Sequence, residues 1–101
     1  MDLEFEWSGE FTWDPQKDEQ NRQKHGLSLD DGIVLFASEA NIIELPDDRH
    51  DEPRFVRIGR AGRRLLVIIW TQDGHNIRLI SVREATKHER EEWYVRILQG
   101  Y

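Results

Sequence analysis

A chain of 101 residues is long enough for one modest core and too short for two, and its 38% hydrophobic content argues against disorder. With no cysteine it has neither a disulfide framework nor a thiolate metal site. It also has no signal-like N-terminal apolar run, and Leu65 to Trp70 is too short to span a bilayer, so a soluble cytoplasmic protein is expected. The net charge of −6 hides an asymmetry: residues 1 to 52 hold four basic side chains against fifteen acidic, residues 53 to 101 ten basic against five. Nine of those ten are arginine, whose planar fork suits phosphate, although charge balance between the two halves would account for the pattern equally well.

No repeat or Pro/Gly/Ser-rich linker marks a boundary, so residues 1 to 101 read as one domain, with residues 1 to 10 an acidic arm or an extra edge strand. Phe11 to Trp13 favours a strand. Asp14-Pro15 then opens a helix that runs to His25 and stops at Gly26. This helix has no apolar stripe and must lie on the surface or owe its position to neighbours. Ser28 and Asp31 form a second capping signature, followed by Leu29, Ile33 and Phe36 at helical spacing.

The period then changes. Asn41 to Leu45 reads as a strand, residues 46 to 53 as a polar loop, and Arg54 to Arg60, Arg64 to Thr71 and Asn76 to Arg83 as an antiparallel meander whose second strand is buried on both faces. A helix from Glu84 to Leu98 closes the chain, with Tyr94, Ile97, Leu98 and Tyr101 as its apolar stripe. The expected fold is α+β: N-terminal helices, then a curved antiparallel sheet, then a C-terminal helix.

No His-x-x-x-His pair, acidic cation loop, Gly-x-Ser-x-Gly elbow or Walker lysine is present, so neither metal nor cofactor is expected. Arginine on strands remains. Strict alternation puts Ile77, Leu79, Ser81 and Arg83 on one face and Arg78, Ile80 and Val82 on the other, so Arg78 is either salt-bridged within the fold or lines a cleft. Arg54, Arg57, Arg60, Arg64, Arg78 and Arg83 on adjoining strands suggest a shared basic surface. Among the four histidines, His25 stands out beside Lys24 at a helix end, as a proton carrier for RNA cleavage or as a simple complement to the helix dipole. His50 reads as a loop-organising residue, His75 as a turn residue, and Lys87 and His88 as cleft-lining or solvated.

Trp13-Asp14-Pro15, Lys17, Asn21 and Lys24-His25-Gly26, followed by Asp48-x-His50, Arg54, Gly59, Trp70-Thr71, Ile77 to Thr86 and Glu89, resemble the BrnT-type toxins from about Phe11 to Tyr94. The resemblance implies a RelE-like fold and an endoribonuclease that inhibits translation, and the lack of metal-ligand motifs makes metal-independent cleavage the expectation. The resemblance also implies neutralisation by a BrnA-type antitoxin carrying a DNA-binding domain, through which alone operator DNA is contacted. Carried over residue by residue, it makes His25, Arg54, Arg78, Ser81 and Arg83 the catalytic candidates, with Lys24 and Lys87 as supporting phosphate contacts. Arg57 and Arg64 join the RNA-binding surface, and Trp70, Trp93 and Tyr94 are candidate anchors for the antitoxin. Val82 stands where the family often has alanine. A non-catalytic module binding RNA or a partner through the same basic sheet is the alternative.

Overall fold

In the computed structural model, which describes residues 10–100, the sequence resolves into α1 (Pro15–His25), a 3₁₀ segment (Leu29–Phe36), a five-stranded sheet and α2 (Lys87–Leu98). The strands are β1 (Phe11–Thr12), β2 (Ile43–Asp47), β3 (Arg54–Ala61), β4 (Arg64–Asp73) and β5 (Asn76–Glu84), in spatial order β1-β5-β4-β3-β2. The meander is antiparallel as expected, but β1 adds a parallel edge, Phe11 facing Ile77 and Thr12 facing Arg78, so the sheet is mixed. The acidic arm up to Gly9, and Tyr101 of the expected stripe, lie outside the described residues.

Two hydrophobic clusters sit on opposite faces. Leu66, Ile68, Leu79 and Val82 pack against Leu27, Leu29 and Leu35 on one face, whereas Leu65 and Ile43 pack against Trp93 of α2 on the other. The continuous apolar run of β4 is thereby explained, since Leu65 to Ile68 are all at most 2% exposed.

Several local expectations are corrected. Leu29, Gly32 and Leu35 are the buried residues of the segment after Ser28, a spacing of three that matches a 3₁₀ rather than an α-helix, while Ile33 and Phe36 are half-buried. Gly32 permits this close approach, because a Cβ there would come within 2.8 Å of Ile68 Cδ1. β2 begins at Ile43 rather than at Asn41, whose φ of 59° belongs to a turn. α2 begins three residues late, because Thr86 and Glu89 form a reciprocal capping box that fixes its first turn. Its inward residue is Trp93, 4% exposed and donating to Asn41 O at 3.1 Å; Tyr94 and Leu98 are exposed.

Asn21 answers how a helix without an apolar stripe is held. β1 covers only the beginning of β5, and farther along the edge Asn21 takes the place of a strand. Its Nδ2 donates to Val82 O at 2.8 Å and to Leu27 O at 2.7 Å, and its Oδ1 accepts from Val82 N at 3.1 Å. Asp18 adds a second anchor, accepting from Leu29 N at 2.7 Å.

Candidate active site

The register of β5 slips once. Ile69 faces Ser81 and Trp70 faces Leu79, leaving Ile80 as the extra residue of a β-bulge. Strict alternation therefore fails at this point. Leu79 and Val82 both enter the core, and Arg78, Ser81 and Arg83, opposite Thr71, Ile69 and Val67, share the other face. The bulge thus gathers three catalytic candidates that alternation had divided.

Arg54 stands on that same face. Its neighbour Phe55 pairs with Trp70, and Thr71 pairs with Arg78, so Arg54 and Arg78 flank Thr71 across two strand spacings, about 10 Å. Arg54 is held by Glu52 Oε2 at 2.8 Å, with His50 Nε2 3.5 Å from its Nη1. His50 is in turn 3.8 Å from Asp47, beyond hydrogen-bond distance. Asp47 is held down to about 2, first by its hydrogen bonds from the Arg49 side chain. Arg78 has no ion pair or side-chain hydrogen bond among the described residues.

His25 ends α1, where Gly26 turns the chain with a φ of 74°. Together with Lys24 and Ser81 it lines a cleft of about 140 Å³ between α1 and β5. Its pKa is lowered from 6.5, first by burial, then by the charges of Lys24 and Arg83, so the imidazole is neutral at neutral pH. That coupling places Arg83 within electrostatic range of His25.

Arg83 is fixed from the opposite side. Its Nη1 and Nη2 donate to both oxygens of Glu89, at 2.7 and 2.8 Å, while Glu89 also accepts from Thr86 N at 2.8 Å. The first turn of α2 therefore fixes both a helix end and a candidate site arginine. Hydrogen bonding from Arg83 holds Glu89 down to about 2 from 4.5, against the opposing effect of partial burial. Because the folded-state value is depressed, this contribution to stability is present above pH 4.5 and is lost as pH falls towards 2. Allowing for solvent screening, it amounts to about 1–2 kcal/mol. Glu89→Gln, which retains the cap, should lose that amount at pH 7 and match the parent near pH 2 in urea unfolding followed by circular dichroism.

Not every predicted site residue is available. Arg57 lies on the opposite face, 3% exposed, donating to Leu35 O at 2.9 Å, Glu44 at 2.6 Å and Glu39 at 2.5 Å, with its guanidinium 4.6 Å from the Phe36 ring centroid. It is a core cation, too buried to join an exposed basic surface. Trp93 is likewise buried and presents no anchor to a partner, while half-buried Trp70 packs edge-on to Phe36 and donates to Glu44 at 2.5 Å. Arg60 turns to Tyr94 Oη at 2.8 Å, and Arg64, at the hairpin, pairs with Glu84 at 3.4 Å. Lys87 is exposed at the start of α2. Among the described residues no three His, Asp or Glu side chains converge as metal ligands.

The sequence reading gave no role to Asn21 or Glu89. A lone asparagine in a helix that lacks an apolar stripe, and a glutamate three residues after Thr86, are the signals that would have pointed to them.

A half-exposed imidazole beside lysine and strand-borne arginines forms a surface suited to a polyanion. Comparison with known families gives the class: residues 13–89 match the model described as the ribonuclease toxin, BrnT, of type II toxin-antitoxin systems. With most of its length matched, the chain belongs to the BrnT family of ribonuclease toxins. Among solved structures it is similar to the 1.1 Å crystal structure of the Brucella abortus ribonuclease toxin BrnT, with a TM-score of 0.62 and 25% identity over 79% of this chain and 100% of that one. No match was found among curated protein sequences.

Proposed function

We propose that this chain is an endoribonuclease that cleaves RNA without a metal ion, and that Arg54, Arg78 and Arg83 hold the scissile phosphate. His25 takes the proton of the attacking 2′-hydroxyl. The 2′-oxygen bonds to phosphorus as the bond to the 5′-oxygen breaks, and the imidazolium returns its proton to that leaving oxygen, giving a 2′,3′-cyclic phosphate end. The arginines stabilise the charge that builds on the phosphate, and Ser81 donates to one of its free oxygens. Lys24, Lys87 and Arg64 contact flanking phosphates. The observation that carries this reading is the placement of His25 with Lys24 and Ser81 in one cleft beside the face that bears Arg78 and Arg83; burial and the neighbouring cations lower the pKa of the imidazole, as suits a base, and the same cations attract the substrate.

Cleavage of this kind inhibits translation in the cytoplasm. The chain, residues 1–101, works as one RelE-like domain and is neutralised by a BrnA-type antitoxin, whose DNA-binding domain alone contacts the operator. Tyr94, 41% exposed beside Val95 and Leu98 on the outer side of α2, is with half-buried Trp70 a candidate anchor for the antitoxin. No helix among the described residues is long and apolar enough to cross a membrane.

Production of the chain alone in a bacterial host should arrest growth, co-production of the antitoxin should restore it, and Arg78→Ala at equal protein level should leave growth normal. Undisturbed growth with the parent would replace this reading with the non-catalytic binding module.

A further inference from the structure

The bulge that gathers the arginines also exposes one apolar residue. Ile80 has no partner across the sheet, and its half-buried side chain joins Ser81 in lining the cleft that α1 covers. The rest of the wall is polar: Lys17, Gln20, Asn21 and Lys24 fall at i, i+3, i+4 and i+7 on one side of α1, leading to His25. Asn21 is wholly engaged with backbone groups of Val82 and Leu27. Lys17 and Gln20, by contrast, make no side-chain hydrogen bond or ion pair among the described residues. α1 buries only Asn21, so packing does not dictate the identity of these two side chains.

An isoleucine ringed by unpaired long polar groups suits a flat ligand with an apolar face and a hydrogen-bonding edge. Unstacked RNA bases have that character: proteins hold them by packing against one face, with aromatic, arginine or apolar side chains, and by hydrogen bonds to the edge. The Gln20 amide offers one donor and one acceptor side by side, the complement of adenine's N6 and N7 pair. Lys17 adds donors only. Because His25 belongs to both places, a base seated on Ile80 lies next to the phosphate that His25 would serve.

We propose that the cleft between α1 and the β5 bulge is a nucleobase subsite, with Ile80 beneath the base and Gln20 and Lys17 reading its edge, adenine being the preferred base. This deepens the ribonuclease reading and rests on it for the position of the phosphate.

The test measures binding of labelled pentamers of A, C, G and U, made uncleavable by 2′-O-methylation, to the parent, Gln20→Ala, Lys17→Ala and Arg78→Ala at one fixed salt concentration. The parent should favour the A pentamer by about ten-fold, in line with one bidentate base contact. Gln20→Ala should reduce that ratio to about two-fold or less, Lys17→Ala should reduce it in part, and Arg78→Ala should weaken all four pentamers alike, as a phosphate contact does. Equal binding of the four by the parent, or a preference that survives Gln20→Ala, would overturn the subsite. If the preference exists and depends on Gln20 while the parent leaves unmodified RNA intact, the subsite stands and the ribonuclease reading falls.

Discussion

Alanine in place of Asn21 should lower the stability of the protein by about 3 kcal/mol, the largest effect expected of any surface-helix substitution here. The side chain is 6% exposed and serves three backbone groups: Leu27 C=O, Val82 C=O and Val82 N–H. Its removal leaves all three buried without a protein partner, and each unmet group costs about 1–3 kcal/mol, less where water enters. α1 has no apolar stripe to compensate. For a domain of this size the loss corresponds to a Tm lower by roughly 10–20 °C. Thermal unfolding by circular dichroism checks the value, and a shift of under about 1 kcal/mol would mean that Asp18 alone holds the helix. Since α1 also carries Lys24 and His25 to β5, RNA cleavage should fall in the same variant even below its Tm.

The second large effect is on chemistry alone. His25→Ala should reduce kcat for RNA cleavage by about 10²–10⁴-fold, the usual contribution of a positioned general base, with the Tm almost unchanged. Among the described residues the imidazole anchors nothing: it makes no side-chain hydrogen bond that the fold would lose. The pH profile provides the more specific sign. Burial, Lys24 and Arg83 all lower the pKa of His25, so the acidic limb of kcat/KM in the parent should fall below the ordinary 6.5 and should disappear in His25→Ala. An acidic limb above 6.5 in the parent, or one that persists in the variant, would assign the base to another group.

Most of the fold was legible because its signals are local. Asp14-Pro15 and Gly26 bracket α1 at the ends the structure shows, and the run from Leu65 to Ile68 marks the central strand. What escaped depends on partners remote in sequence. The parallel pairing of β1 with β5 joins residues far apart along the chain, and nothing near Phe11 announces it. The bulge at Ile80 is invisible in a string of alternating residues, yet it decides which arginines share a face. The geometry of the candidate site was therefore half legible. His25, Arg78 and Arg83 had been singled out by residue type and resemblance, whereas the face that unites Arg78 with Arg83 emerged only from the register. Arg57 shows the converse failure, since strand arginines look alike until the fold surrounds one of them with Leu35, Glu39 and Glu44. Trp93 was likewise given to a partner when the protein's own core had claimed it.

On the proposed mechanism, a neutral imidazole and strand-borne arginines suffice to cut RNA. The most direct test is to incubate purified, antitoxin-free protein with end-labelled single-stranded RNA in excess EDTA, with His25→Ala and Arg78→Ala, each shown by circular dichroism to be folded, in parallel. Cleavage by the parent to 2′,3′-cyclic phosphate ends is expected, with a loss of at least about a hundred-fold in rate in either variant. An intact RNA in the parent reaction, with cleavage restored only on adding a divalent cation, would contradict that mechanism.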